Sequence, residues 1–235
     1  MSTEGVSSVT PEIKAIIQSI LSVFETGSVE PKYHKLVVMA DGKDHSYQIT
    51  YGMHQTTEQG HLAELISLYL TKADDVHNAQ FKPYSSKIGR VPLYADKEFK
   101  RLLIDAGLND EAMKAAQREF FDGAYWTPAE RFFHNNEFEE NLSMLVIYDS
   151  YIHSGGVPTF LRNRFSEKVP VNGGNERKWI ESYTDARHQW FRNNSSELLS
   201  KCVYRTQCFK NQITIGNWDL SLPVNANGTI VPKKI

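Results

Sequence analysis

The sequence predicts an α+β protein that is mainly helical and carries one small β-hairpin or sheet. Apolar residues recur at helical spacing along most of the chain, whereas only two short runs are rich in β-forming residues. Those runs, residues 35–40 and 47–51, flank an Asp-Gly pair of the kind found in turns. A chain of 235 residues that is 40% hydrophobic and 23% charged is long enough and apolar enough to bury a core.

The charge and cysteine patterns argue against several classes of protein. The formal net charge is -2 and both signs are mixed along the chain, so no basic stripe is available for a nucleic acid. No apolar run is long enough to span a membrane, and residues 1–12 do not read as a secretory signal. Cys202 and Cys208 match neither a zinc-ligand spacing nor a disulfide framework, so isolated thiols are expected.

The first helix has clear signals at both ends. Thr10, Pro11 and Glu12 supply an N-cap, a proline for the first turn and an acid beside the positive end of the helix dipole. Gly27 supplies a left-handed stop, so the helix is predicted to end at Glu25. Apolar residues recur between these ends at helical spacing: Ile13, Ile16, Ile17, Ile20, Leu21 and Phe24.

After the predicted hairpin, a helix carries several apolar residues on one face and is predicted to be capped by Thr57. Those apolar residues are Leu62, Leu65, Ile66 and Tyr69. Residues 71–96 are polar and contain Pro83 and Pro92, so this segment is predicted to be largely loop.

The second half of the chain continues the helical pattern. Helices are predicted over residues 97–106, 110–121, 128–134, 138–153 and 176–192. The helix over residues 138–153 ends at a Ser-Gly-Gly run and is the candidate for a long central helix. The C-terminal part is predicted to be short strands or irregular structure.

Two carboxylates stand at positions suited to acid and base chemistry. Glu25 lies at a helix C-terminus, where unpaired carbonyls favour a protonated carboxyl, while Asp41 opens a turn in a more polar setting. Cleavage of a glycosidic bond needs one carboxyl that donates a proton and one that activates water. By position alone the simpler interpretation is favoured, in which Glu25 is a solvated helix end and Asp41 a turn former.

The order of motifs along the chain resembles the family 46 glycoside hydrolases, the chitosanases. The resemblance covers most of the chain from Ile13 to Pro223. It rests on Asp41-Gly42, the run QITYGMHQTTE at residues 48–58, Leu62-Ala63-Glu64-Leu65, Tyr148-Asp149 followed by Gly155-Gly156, Asp185-Ala186-Arg187, and the run GNWDLSLP at residues 216–223.

The resemblance implies a lysozyme-like fold in which residues 1–235 form a single catalytic domain with two lobes flanking a cleft. It gives Glu25 the role of general acid and Asp41 that of general base in an inverting, endo-acting hydrolase without metal or cofactor. Their carboxyl groups should then face one another at roughly 6.5–9.5 Å or more. The resemblance also implies a supporting ionic network of Asp149, Arg187 and Arg205 behind Glu25, with Arg205 as the third member.

Several site assignments stay open at the level of the sequence. Asp44 lies three residues after Asp41 in the same turn and is the rival base. Gln48 or Thr50 could position the attacking water, although polar strand residues are commonly just a solvated face. The substrate-binding candidates are Asp44, Gln48, Thr50, Tyr51, His54 and Glu58.

The expected partner is a polysaccharide rather than a nucleic acid or a membrane, and the expected state is a monomer. Chitosan is the first candidate substrate, because carboxylates near the site suit a polycation. A peptidoglycan-cleaving muramidase of the same fold is the second, and a non-catalytic carbohydrate-binding module is the third. Extracellular action would require a signal that has been removed or another export route.

Overall fold

The computed structural model describes residues 9–232, which are mainly helical with two small antiparallel sheets. The helices are α1 (Pro11–Thr26), α2 (Leu62–Leu70), α3 (Asp75–Ser85), α4 (Lys97–Asn109), α5 (Glu111–Phe121), α6 (Thr127–Asn135), α7 (Asn141–Ser154), α8 (Thr159–Arg162), α9 (Glu176–Arg192), α10 (Glu197–Ser200) and α11 (Val203–Thr214). The strands are β1 (Leu36–Met39), β2 (Gln48–Tyr51), β3 (Thr56–Thr57), β4 (Val224–Ala226) and β5 (Thr229–Val231). The predicted α+β, mainly helical class is confirmed.

The chain divides into two compact units. The middle unit is Glu30–Gly123, and the terminal unit joins the segment up to Val29 with the segment from Ala124 onward. Each unit has its own cluster of buried apolar side chains. Over residues 9–232, no helix is both long enough and apolar enough to cross a membrane.

Helix α1 forms as its end signals predict. The Thr10 hydroxyl accepts a hydrogen bond from the backbone N–H of Ile13 at 3.3 Å, and Pro11 occupies the first turn. Gly27 adopts φ 72° and its N–H donates to the Val23 carbonyl at 2.9 Å, which closes the C-terminus. The helix ends at Thr26, one residue later than predicted, so Glu25 lies in its last turn.

Helix α7 lies at the centre of the terminal unit. Every residue from 142 to 150 is buried, and the helix contacts α1, α6, α9 and α11. It begins at Asn141 rather than 138 and ends at Ser154, where Gly155 follows as a left-handed cap with φ 71°. The expectation of a central helix is confirmed, although α1 and α9, at 16 and 17 residues, are longer than its 14.

The middle unit packs four helices beside a three-stranded sheet with the order β1-β2-β3. The antiparallel register pairs Met39 with Gln48, and Thr50 with both Val37 and Thr57. All four residues of β2 are buried, so the central strand is fixed on both faces. The predicted hairpin is thus present, with residues 40–47 as its connection.

Two predictions in the middle unit are wrong. Thr57 lies in β3 and does not cap α2, because its backbone is used in pairing with Thr50. The segment predicted as loop contains α3, whose Asp74 cap accepts a hydrogen bond from the His77 N–H at 2.8 Å. The helix tolerates Pro83 near its C-terminus and is anchored by Phe81, which is fully buried.

The C-terminal part also differs from the prediction. Residues 203–214 form α11 instead of strand or irregular structure, and Phe209 packs edge to face against Phe24 of α1 at 5.9 Å between ring centroids. Only after this helix does the chain form the short hairpin β4–β5, which fits the predicted short strands. Helix α11 brings Arg205 beside α1.

Candidate active site

Glu25 is held in the last turn of α1 by residues at the start of α11. Its carboxylate Oε1 forms an ion pair with Nη2 of Arg205, and its side chain is 14% exposed. The neighbouring Tyr204 hydroxyl donates to the backbone carbonyl of Phe24 at 2.9 Å, which satisfies one carbonyl at the helix end. Consecutive residues of α11 therefore fix both the backbone and the side chain at this end of α1.

Behind Glu25 the ion pairs continue into the core of the terminal unit. Nη1 of Arg205 lies 2.6 Å from Oδ1 of Asp149, and Nη1 of Arg187 lies 2.8 Å from Oδ2 of the same carboxylate. The side chains of Asp149 and Arg187 are 0% exposed and that of Arg205 is 4% exposed. The structure brings together all four residues that the sequence grouped, in the order Glu25, Arg205, Asp149, Arg187.

The charges in this network balance one another. Burial raises the pKa of the Asp149 carboxyl, but the guanidinium groups of Arg205 and Arg187 outweigh burial and hold that pKa below its usual range. Burial also lowers the pKa of Arg205, and the carboxylates of Glu25 and Asp149 raise it well above its usual value.

His153 is a neighbour of the network that the sequence argument missed. It lies one turn after Asp149 on α7, with Nε2 3.3 Å from the Cys202 thiol and its ring edge on to Phe191 at 5.0 Å. Burial, followed by the positive charge of Arg205, lowers the pKa of His153 to about 4. The i, i+4 spacing from Asp149 was the available signal, since such residues share a helix face.

The depressed pKa of His153 predicts a loss of stability in mild acid. The unfolded chain binds a proton at this residue near pH 6.5, whereas the folded chain does so only near pH 4, so protonation favours unfolding between these values. The shift corresponds to about 3 kcal/mol in the free energy of unfolding. This contribution to stability is fully present above pH 6.5 and is lost as the pH falls toward 4.

We therefore expect His153→Gln to show a smaller decrease in melting temperature between pH 6.5 and pH 4 than the wild type does. The exposed His61 provides the matched control, because His61→Gln should keep the wild-type pH dependence. A His153→Gln profile parallel to that of the wild type would contradict the assignment.

Asp41 lies in the connection between β1 and β2 in the middle unit. Its side chain is exposed, and its Oδ1 accepts a hydrogen bond from Nε2 of Gln48 at 3.0 Å. Gln48 is only 5% exposed and belongs to the central strand, so the carboxylate is tied to the buried strand in the middle of the sheet.

The rival carboxylate Asp44 has a different setting. It lies in the short 3₁₀ turn Lys43–His45 with φ 54°, a left-handed conformation that is uncommon for a residue with a side chain. It contributes to the wall of an open surface cavity of about 510 Å3 that Tyr47 and Arg90 also line. Within residues 9–232, the Asp44 side chain has no hydrogen bond or ion pair, whereas Asp41 is held by Gln48.

Tyr51 and Glu58 correct the substrate-binding expectation. Tyr51 is fully buried and its hydroxyl donates to the Leu103 carbonyl at 2.7 Å. Glu58 is 3% exposed, and its two oxygens accept from the backbone N–H groups of Ile49 at 3.1 Å and Leu93 at 2.6 Å. Both side chains are used to hold the middle unit together, and neither has a free polar atom to offer a sugar.

Thr50 and His54 are also buried within the middle unit. The Thr50 hydroxyl is enclosed in the sheet with no hydrogen-bond partner among the described residues, and its residue is 5% exposed. The His54 ring is 8% exposed and packs edge to face on Phe121 at 4.7 Å. Of the two water-positioning candidates, only Gln48 contacts a proposed catalytic carboxylate.

No group of three or more His, Cys, Asp or Glu side chains in residues 9–232 is arranged to hold a metal ion. Cys202 and Cys208 are both free thiols. Burial raises the pKa of each thiol, to about 12 for Cys208.

Comparison with known proteins agrees with the family resemblance of the sequence motifs. The model of glycosyl hydrolase family 46 matches residues 19–224. A chitosanase of Bacillus subtilis (strain 168) is 26% identical over an alignment of 226 residues. The match covers 88% of this chain and 79% of that protein.

Two solved structures share the fold at low sequence identity. A Glu→Ala variant of the chitosanase from Bacillus subtilis MY002, complexed with six GlcN, is 21% identical with a TM-score of 0.79, covering 95% of this chain and 99% of that one. The chitosanase of Gynuella sunshinyii in complex with chitotetraose is also 21% identical with a TM-score of 0.79, covering 96% and 99% of the two chains.

Proposed function

Because the chain belongs to glycosyl hydrolase family 46 and is a glycoside hydrolase, we propose that it cleaves the β-1,4 linkages of chitosan within the polymer chain, with inversion at the anomeric carbon. The observation that carries the proposal is the family match over residues 19–224. One structural relative was complexed with six GlcN and the other with chitotetraose, and this supports chitosan over peptidoglycan as the substrate. We also propose that the enzyme acts outside the cell, where such polymers occur.

In the proposed reaction Glu25 is the general acid and Asp41 is the general base. Glu25 transfers its proton to the glycosidic oxygen as the bond from that oxygen to the anomeric carbon breaks. Water attacks the anomeric carbon from the opposite face and gives its proton to Asp41. The cycle closes when Asp41 releases its proton to solvent and Glu25 regains one.

Arg205 supports the acid in two ways. Its guanidinium contacts Glu25 directly, so it fixes the direction in which the carboxyl group points. It also stabilises the carboxylate that forms as the proton leaves, because a positive charge lies beside the developing negative one. Asp149 and Arg187 hold Arg205 in place from the buried side.

Release of new reducing ends from defined polymers tests the substrate. We expect new reducing ends from chitosan and none from peptidoglycan sacculi. Cleavage of sacculi alone would make the chain a muramidase. Binding to either polymer without any new reducing ends, in a protein whose Glu25 and Asp41 are intact, would make it a binding module.

Proton NMR of the earliest product tests the stereochemistry. We expect the α-anomer from the β-linkage, because a single displacement by water inverts the anomeric carbon. Asp41→Asn should be strongly impaired, and azide should partly restore its turnover by attacking from the water side to give an inverted product. Retained configuration in the wild-type product would overturn the role of Asp41 even with the fold and family unchanged.

A further inference from the structure

We infer that Gln48 is a positioning residue that orients the Asp41 carboxylate, with Gln59 fixing the orientation of the Gln48 amide. This inference rests on the proposed role of Asp41 as the base. It adds a defined direction to that role, because it identifies Oδ2 as the oxygen that takes the proton from water.

The orientation of the Gln48 amide follows from the chemistry of its two partners. Its Oε1 lies 3.0 Å from the backbone N of Gln59, and its Nε2 lies 3.0 Å from Oδ1 of Asp41. A backbone N–H can only donate, so the amide oxygen must face Gln59 and the amide NH2 must face Asp41. A flipped amide would place oxygen against oxygen at Asp41 and N–H against N–H at Gln59, so both contacts would be lost.

The turn that follows Asp41 is held by the side chain of Gln59. Its Oε1 accepts from the backbone N–H of Lys43 at 2.7 Å, and its Nε2 donates to the Ser46 hydroxyl at 2.9 Å. The turn between these anchors contains Asp44 and His45 at φ 54° and 60°. Consecutive left-handed residues with side chains are strained, so the turn needs such anchors to keep one conformation.

Gly42 makes room for this arrangement. A Cβ atom at Gly42 would lie 2.5 Å from Nε2 of Gln59, closer than such atoms approach in proteins. Gly42 itself has an extended backbone with φ -75°, so its lack of a side chain matters because it lets the Gln59 amide reach across to Lys43 and Ser46. Gln59 thus fixes the turn through its side chain, and it fixes the Gln48 amide through its backbone N–H.

The consequence for Asp41 is a difference between its two oxygens. Oδ1 accepts a hydrogen bond from the nearly buried amide of Gln48, and this contact fixes the direction of the carboxylate. Oδ2 has no hydrogen-bond donor among the described residues, so it is the oxygen available to a water molecule. The base is thus held in place at one oxygen and directed at water with the other.

The pH dependence of kcat on chitosan tests this inference. Gln48→Glu keeps the shape of the side chain and its contact to Gln59 but places a carboxylate against Oδ1 of Asp41, so ionisation of Asp41 becomes less favourable. We expect the acid limb of the kcat profile to move to higher pH by roughly one unit or more, with activity partly recovered at higher pH. Gln48→Met removes the donor without adding charge, and we expect a smaller shift in the same direction.

Gln80 on α3 is exposed, so Gln80→Glu adds the same charge elsewhere in the middle unit and should leave the profile unchanged. If Gln48→Glu does not fold, the acid limb of the kcat profile of Gln48→Met tests the inference instead. An unmoved acid limb in folded Gln48 variants, with Asp41→Asn inactive, would overturn this inference alone. An active Asp41→Asn would instead overturn the proposed base on which the inference rests.

Discussion

Replacing Glu25 by glutamine is expected to lower kcat on chitosan by roughly 10²–10⁴-fold or more while leaving the melting temperature close to that of the wild type. The amide keeps the size of the side chain, and its oxygen can still accept a hydrogen bond from Arg205, so the end of α1 stays in place. What is lost is the proton that the leaving sugar oxygen needs. Because the interaction is made only as the bond breaks, KM should change little.

The exposed Glu30 offers a matched control, since Glu30→Gln removes the same charge a few residues away and should keep full activity. Calorimetry of Glu25→Gln with glucosamine oligomers should show that binding survives. A Glu25→Gln variant with wild-type kcat would mean that another group delivers the proton. In that event the ion pair between Glu25 and Arg205 would have only a structural role.

The parts of the fold that the sequence predicted well depend on local signals. The ends of α1 are determined by Thr10, Pro11 and Gly27, which lie at or next to those ends. The sequence around each end is therefore sufficient to predict it. The hairpin between β1 and β2 was also predicted from local signals, although the chain turns through the left-handed Asp44 and His45 rather than at Asp41-Gly42. Both candidate catalytic carboxylates lie at such local signals, but their proposed roles came from the resemblance to family 46, because position alone favoured the simpler interpretation.

Helix α11 shows why other parts could not be predicted. Its buried face consists of Arg205, Thr206, Cys208, Phe209 and Gln212, so the side chains that point inward are mostly polar. A search for apolar residues at helical spacing does not detect such a face. The helix is stabilised by contacts made at long range, among them the packing of Phe209 on Phe24 and the ion pairs of Arg205 with Glu25 and Asp149.

Long-range partners also explain the errors at Tyr51 and Glu58. Both side chains are polar and lie on or beside a strand that leads from Asp41, so a role at the substrate was a reasonable interpretation. Their partners, the backbone groups of Leu103 and Leu93, lie 52 and 35 residues further along the chain. No pattern near either residue indicates that these backbone groups would be adjacent.

Arg187→Ala is expected to cost about 3–5 kcal/mol of stability, because it leaves the fully buried Asp149 with one of its two guanidinium partners removed. For a chain of this size such a loss lowers the melting temperature by roughly 6–20 °C. Activity should fall as well, since Arg205 reaches Glu25 from its contact with Asp149. Thermal unfolding monitored by circular dichroism, together with chitosan hydrolysis, measures both effects.

The exposed pair between Arg101 and Glu98 provides the control, with both side chains 57% exposed. Arg101→Ala should change stability by less than about 1 kcal/mol, because solvent screens such pairs. An equal effect of Arg101→Ala and Arg187→Ala on the melting temperature would show that the buried network does not stabilise the fold.

The pH dependence of the Arg187→Ala effect identifies its cause. The pKa of Asp149 is lowered in the folded state by Arg205 and Arg187 against the effect of burial, so the ion pairs stabilise the fold when Asp149 is ionised. That contribution is complete above the usual aspartate pKa of about 4 and disappears as the pH falls through the lowered value. The stability difference between wild type and Arg187→Ala should therefore be largest above about pH 4 and should narrow below it. A difference that stays constant across this range would mean that Arg187 contributes through its packing on Tyr183 and Phe191 instead of its charge.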